Sequence, residues 1–297
     1  MKTKEYKTTQ WVANIVLIIC SVIVVVPFML LMIASFTDNS WAVANGFAFW
    51  PKEWSLDAYK YIVAQWATIG RAYFMTVLVT VIGTALSLVI TTLMAYATSQ
   101  DNMPEMKVLN FLLIFTMLFN GGLVSTYYCY VNLFHIKNTI WALIVPNLML
   151  NAFNVILVRN YFKNSIPISL IEAARLDGAG EFKAFVRVII PLSKPIIATI
   201  ALMTGLAYWN DWQNGMYYLT VRGGSPYYTI QIILNNINQN VNNLLQSASA
   251  MGNSAIQMPT TTIRMAIAAV GILPILIIYP FFQKYFVKGI TLGGVKE

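Results

Sequence analysis

The chain reads as an all-α membrane protein, a polytopic bundle of six transmembrane helices with both termini in the cytoplasm, and three observations lead there. Of its 297 residues 58% are hydrophobic and only 10% are charged, with a mean hydropathy of +0.64, whereas a soluble domain carries about 25% charged residues. The charges fall between long apolar runs, most near the ~20 residues that cross a bilayer as a helix. Lys and Arg are shared unevenly between alternate loops, which sets the orientation.

The first run, Thr8–Thr37, follows Lys2, Lys4 and Lys7. It is about twice the length of a signal-peptide core and no small-x-small site ends it, so it is expected to stay as an anchor. Ala72–Gln100, Val108–Ile136, Asn138–Val158, Pro195–Asn210 and Met265–Gln283 are the other charge-free runs. The fifth span is short, and Trp209 and Trp212 flank Asp211 as interface aromatics do. Its helix is therefore expected to continue a turn or more past Asp211.

Gly223–Ile263 is also uncharged, but Asn235, Asn236, Asn238, Asn240, Asn242 and Asn243 crowd its middle. Unpaired amides are costly in hydrocarbon, so this stretch is a loop. Within it Ile230, Ile233, Ile237, Val241, Leu244 and Leu245 recur at helical spacing, the pattern of an amphipathic helix laid on its own bundle.

With the N-terminus inside, thirteen of the 19 basic residues face the cytoplasm and six, Lys52, Lys60, Arg71, Lys137, Arg222 and Arg264, face out. That excess places both termini inside and accounts for the net charge of +8 without a basic stripe for nucleic acid. The reading is one transmembrane domain over 1–297, with a cytoplasmic loop 161–194, an outer loop 217–263 and a cytoplasmic tail 284–297. Cys20 and Cys129 lie in or beside apolar runs and read as small core hydrophobes. His135 stands alone and makes no metal site.

The cytoplasmic loop holds the least expected stretch, "EAARLDGAG" at Glu172–Gly180. Ser169 and Glu172 have the spacing of a capping box, so a helix is expected to start at Ser169. Gly178 and Gly180 supply positive-φ positions that end it after little more than two turns. A second helix runs from near Glu181 to Ile190, before Pro191 and Pro195. Taken alone, this is a structured connector in which Arg175 and Asp177 are solvated.

"EAARLDGAGEFKAFVRVIIP" resembles the EAA signature of binding-protein-dependent ABC importer permeases, E-A-A-x3-G-x9-I-x-L-P: Glu172, Ala173, Ala174, Gly178 and Pro191 match, and Val188 and Ile190 are conservative replacements. "FNGGLVSTYY" (Phe119–Tyr128), "NTIWALIVPN" (Asn138–Asn147) and "YPFFQKYFVKGITLGGVKE" (Tyr279–Glu297) are similar to passages of the carbohydrate permeases, those of oligo- and polysaccharide importers. The resemblance implies that the short helix docks on a dimeric cytoplasmic ATPase. Glu172, Ala173, Ala174, Asp177 and Gly178 are then the coupling residues, small side chains for close approach and a carboxylate for a basic partner. It further implies a second homologous permease subunit, an extracytoplasmic sugar-binding protein, and a tail contact with the ATPase through Gly294, Val295 and Lys296.

No G-x-x-x-x-G-K-[ST] loop occurs in the chain, so ATP and Mg are expected on the partner ATPase and no cofactor on this chain. Sugars are held by amides, carboxylates and aromatic faces. Trp209, Asn210, Asp211 and Trp212 supply these at the outer part of the fifth helix, with Asn120, Tyr127, Asn147 and Asn151 in second place. An acid near membrane depth should face a cavity or a partner. A membrane-embedded glycan-processing enzyme is the rival of a different class, but Asp211 has no partner acid or base. A passive channel leaves the cytoplasmic helix pair unexplained.

Overall fold

The computed structural model describes residues 4–100, 105–237, 239 and 260–294. Apart from one antiparallel bridge between Thr37 and Trp54, every regular element among them is helical. The order is α1 (Lys4–Ser35), α2 (Asn39–Asn45), α3 (Asp57–Ala64), α4 (Trp66–Ser99), α5 (Glu105–Leu118), α6 (Gly122–Tyr128), a π turn (Cys129–Leu133), α7 (Trp141–Ile144), α8 (Ala152–Ser165), α9 (Ile168–Leu176), α10 (Glu181–Ala184), a second π turn (Phe185–Ile189), α11 (Ile190–Leu192), α12 (Lys194–Trp209) and α13 (Gln213–Tyr218). A helical segment α14 covers 230–237, and α15 runs over Thr260–Gly294. Val295 and Lys296, two of the three expected tail contacts, lie outside the described residues, as does most of the amphipathic stretch beyond 237.

Thr9–Ser35, Trp66–Ser99 and Thr261–Phe281 are helices long and apolar enough to cross a membrane. Glu181–Leu192 with Lys194–Trp209 makes a fourth if taken as one span bent by 81°. The runs expected as the third and fourth spans are each interrupted. After α5, Asn120 Oδ1 accepts a hydrogen bond from Gly122 N at 2.9 Å, and Gly122 takes φ +81°, a conformation glycine adopts without strain. Between α7 and α8 stand Pro146, which has no N–H to continue a helix, and Asn147 at φ +61°. Asn151 then caps α8, its Oδ1 accepting from Asn154 N at 3.2 Å. Counting apolar residues sees none of this, because two or three turn-forming residues barely change a hydropathy sum.

The chain forms two compact units, residues 1–70 with 234–273, and residues 71–233 with 274–297. In the first, α1 is exposed over residues 9–29, and only its end, with Ala34 and Ser35, is buried within the chain. α2 is capped by Asp38, whose carboxylate accepts from Trp41 N at 3.1 Å.

The second unit has two apolar cores. One gathers Ala95, Leu113, Val155, Val158, Phe162, Phe185, Ile189, Ile196 and Ile200 around the 166–193 segment. The other gathers Val79, Ala142, Leu143, Ile144, Tyr208, Tyr218, Leu219 and Ile232. Only α4 and α12 feed both cores. They approach closely where Gly83 faces Tyr208: a Cβ at Gly83 would lie 2.5 Å from the ring's Cζ. α14 packs on this core through Ile230 and Ile232, and Ile230 N donates to Thr76 Oγ1 at 2.9 Å. Its start is therefore buried against its own unit.

Three expectations are corrected. Cys20 and Cys129 are exposed, not core residues; Cys20 lies on the exposed stretch of α1 and Cys129 opens the π turn after α6. Helix α9 begins at Ile168 behind Pro167 with no side-chain cap, so Ser169 sits inside the first turn and forms no capping box with Glu172. Pro167 is the extended N-cap, and Leu170 N donates to its carbonyl at 3.1 Å, which places the first turn at Ile168. The helix of the fifth span ends at Trp209 with Asn210 as its C-cap and does not continue past Asp211, because Asp211 caps a new helix.

Candidate functional site

The 166–193 segment folds as α9, a tight turn, and α10 leading into the π turn and α11. Gly178 carries φ +78°, as expected, and Ala179 N donates to Ala174 O at 2.9 Å to close the turn. Gly180, expected at positive φ, has φ −67° and serves as the N-cap of α10, so one left-handed residue suffices. Ile171 packs against the first core, which anchors one face of α9. The opposite face presents Glu172, Ala173 and Asp177, all exposed, with Ala174 half-buried.

Glu172 forms no hydrogen bond or ion pair with any described residue, so its carboxylate is available to a partner. Around it stand large apolar side chains that sequence reasoning passed over: Leu176 is 89% exposed, Phe182 72% and Ile168 70%. Exposed apolar groups of that size form a surface patch of the kind that interaction sites show. Their signal was present, as aliphatic and aromatic residues in the most polar loop of the chain.

Arg175 is exposed, as expected of a solvated residue, but it is also paired. Its Nε lies 2.8 Å from Glu181 Oε1 and its Nη2 donates to Glu181 Oε2 at 3.1 Å, a side-on bidentate pair. Tyr96, on α4, donates its hydroxyl to the same Oε2 at 2.5 Å. The Tyr96 hydroxyl, followed by Arg175, holds the Glu181 carboxyl below the usual carboxylate range.

The second candidate region centres on α13. Asp211, one residue before the N-cap Trp212, accepts on Oδ1 from Gln213 N at 3.1 Å and from Asn214 N at 3.2 Å, and so caps the free N–H groups of this short helix. Asn214, buried, donates Nδ2 to Pro146 O at 3.1 Å, and Tyr208 donates its hydroxyl to Ile144 O at 2.7 Å. The break in the fourth run thus has carbonyls that side chains from α12 and α13 satisfy, as irregular backbone at membrane depth requires. Tyr218, at the end of α13, stacks on Tyr127 with centroids 5.7 Å apart and planes 9° apart. Lys137 Nζ donates to Tyr127 Oη at 3.0 Å.

The structure therefore links the segments carrying Asp211, Tyr127 and Asn147 through α13. Asn147 and Trp212 are exposed beside these links. Asn151 and Asn120 are engaged in turning the backbone, and Asn210 Nδ2 donates back to Leu206 O at 2.9 Å. Trp209 is buried and meets Tyr73 edge-on at 5.9 Å. It lines an apolar cavity of about 350 Å³ together with Thr80, Thr84, Gly205, Pro274 and Ile278. Of the eight candidates, Asn147, Trp212, Asn120, Asn151 and Asn210 are exposed and Asp211 and Tyr127 half-buried, with Asp211, Trp212, Asn147 and Tyr127 on the segments that α13 links. Trp209 lines the apolar cavity instead.

Residues 6–292 match the family described as binding-protein-dependent transport system inner membrane component. The polygalacturonan/rhamnogalacturonan transport system permease protein YtcP of Bacillus subtilis is 39% identical over 280 residues, covering 94% of this chain and 95% of that protein. The arabinooligosaccharides transport system permease protein AraQ of Halalkalibacterium halodurans is 28% identical over the full length of both chains. Among solved structures, a chain of a bacterial ABC transporter involved in the import of the acidic polysaccharide alginate superposes with a TM-score of 0.78 at 30% identity, covering 96% of this chain and 99% of that one.

Proposed function

Since the chain belongs to the binding-protein-dependent transport system inner membrane components, we propose that it is one permease subunit of an ATP-driven importer of an oligo- or polysaccharide, coupled to its ATPase through α9. The observation that carries this reading is the exposed face of α9 and its glycine turn: Glu172, Ala173, Ala174, Asp177 and Gly178, ringed by Ile168, Leu176 and Phe182. The relatives named for polygalacturonan, arabinooligosaccharides and alginate support a carbohydrate polymer as the cargo.

A second, homologous permease completes the pore, a dimeric ABC ATPase binds ATP and Mg, and an extracytoplasmic sugar-binding protein delivers the substrate. The α9 face enters a groove on the ATPase with Leu176 and Phe182 desolvated at the contact and Glu172 paired with a basic group there. Closure of the ATPase dimer then moves α9, and the spans respond by alternating access. Asp211, Trp212, Asn147 and Tyr127 face the sugar, the aromatics against ring faces and the amide and carboxylate on hydroxyls. Gly294, Val295 and Lys296 reach the ATPase from the tail.

The test is uptake of labelled oligosaccharide by cells expressing this chain with its neighbouring permease, ATPase and binding protein. Glu172→Ala is expected to lower ATPase retention on the purified complex and to reduce uptake about tenfold or more, the scale of a lost charge-assisted contact at a docking centre. Gly178→Pro is expected to abolish uptake. Full uptake in both variants would refute the docking role.

A further inference from the structure

Docking alone does not move a transmembrane helix. α9 is joined to the rest of the chain on one side by Ile166 and Pro167 and on the other by the turn at 177–180, whose Gly178 is the sort of residue about which a chain bends. Ile171 holds one face of α9 on the first core and Ala179 N bonds Ala174 O within the turn, but a push on Glu172 and Ala173 would still bend the chain there unless side chains brace α9 against α10.

The structure assigns that task to Arg175, Glu181 and Tyr96, which we propose form a latch that makes α9 and α10 one rigid piece and fastens it to the end of α4. The inference rests on the docking reading above, and it names residues with a different role. Arg175 lies in the last turn of α9 and Glu181 in the first of α10. Their bidentate pair, 2.8 and 3.1 Å, spans the glycine turn and fixes its angle. Tyr96, 85 residues upstream of Glu181, adds a 2.5 Å bond from α4, and its ring packs at 5.1 Å on Phe185 of the π turn. Gln100 Oε1 accepts from Arg175 Nη2 at 3.4 Å.

The anchor at the far end is itself held. Arg159 of α8 donates Nε to Thr98 O at 2.9 Å at the C-terminus of α4, where the last carbonyls have no donor within the helix and a cation is favoured. Force entering at α9 thus has a continuous hydrogen-bonded route into α4 and, through Phe185 and Ile189 of the first core, into α12.

Arg175 and Glu181 are exposed but bonded to each other, unlike Glu172, so retention of the ATPase tells the latch from the dock. In proteoliposomes holding the complete transporter, Glu181→Gln and Arg175→Met are expected to retain the ATPase and hydrolyse ATP within about twofold of the parent. Sugar moved per ATP should fall about tenfold, the size of coupling within one hydrogen-bonded network. Tyr96→Phe should fall by about threefold, and the charge exchange R175E/E181R should recover much of the loss. In the permease pair without ATPase, amides of 177–184 should exchange about tenfold faster in Glu181→Gln, the mark of a local opening.

An unchanged sugar-to-ATP ratio in all three single variants would overturn the latch, as would unchanged exchange at 177–184. Loss of ATPase retention in Glu181→Gln would also overturn it, by making Glu181 part of the dock. Failure of the docking reading looks different: the parent chain itself would not retain the ATPase, and the exchange measurement would still decide the latch.

Discussion

Gly83→Ala adds one methyl group, and the structure says where it goes. The new Cβ would stand 2.5 Å from Tyr208 Cζ and 2.6 Å from Cε1, well inside contact distance. A tyrosine ring at the surface would swing away, but this ring is 2% exposed and tethered by its hydroxyl to Ile144 O at 2.7 Å. Either α4 and α12 separate or that bond breaks. Overpacking of this kind costs about 1–3 kcal/mol, and for a chain of this size about 2–4 °C of melting temperature per kcal/mol.

We therefore expect the thermal midpoint of the detergent-solubilised protein to fall by about 5 °C. Gly205→Ala is the control, because its Cβ would meet Thr84 Oγ1 at an ordinary 3.5 Å and the midpoint should hardly move. Tyr208→Phe releases the tether at the cost of the Ile144 carbonyl's partner. The pair G83A/Y208F should then lose less than the sum of its parts. A Gly83→Ala protein that melts with the parent, equal losses at Gly83 and Gly205, or strict additivity would each refute the packing argument.

Three further outcomes are expected. Asn214→Leu removes the bond to Pro146 O and should cost about 1 kcal/mol, whereas Asn214→Asp sets a carboxylate against a buried carbonyl and should prevent recovery of folded protein at neutral pH, read by size-exclusion chromatography. Asp211→Ala should cost about 1 kcal/mol of stability, read as a thermal midpoint lower by about 2–4 °C, through loss of the α13 cap, and Asp211→Asn should restore most of it because an amide oxygen also caps. The Glu181 carboxyl is depressed below its unfolded value by Tyr96 and Arg175, so its contribution is complete above that unfolded value, about 4.3. It is lost as pH falls through the lower folded value. Amide protection at 177–184 should hold from pH 8 to about 4.3 and weaken progressively as pH falls below that, a dependence that Glu181→Gln abolishes.

How far these features can be read in the sequence depends on their range. The helical class, the place of the EAA loop and the turn at Gly178 are local, and composition, charge and glycine position report them directly. The Arg175–Glu181 pair lies six residues apart and was within reach, yet it was passed over because neither residue breaks a pattern. Tyr96 joins them from 85 residues away, and no local signal marks it. Asp211 looked like an intramembrane acid because its neighbours are tryptophans. It caps a helix because Asn210 had already ended the previous one, a distinction that hydropathy does not make. Asn120 with Gly121 and Gly122, and Pro146 with Asn147, are readable breakers inside apolar runs. Run length alone outvoted them.

The close approach of Gly83 to Tyr208 also has a mechanical meaning. It divides α4 into two arms, about 20 Å toward Tyr96 and about 15 Å toward Tyr73, at 1.5 Å per residue. If that contact is the fulcrum, a tilt of about 10° carries Tyr96 some 3.5 Å one way and Tyr73, with the edge it presents to Trp209, about 2.6 Å the other. One rigid lever would then shut one end of the unit as it opens the other, with a glycine at the pivot because any larger residue would move the bearing.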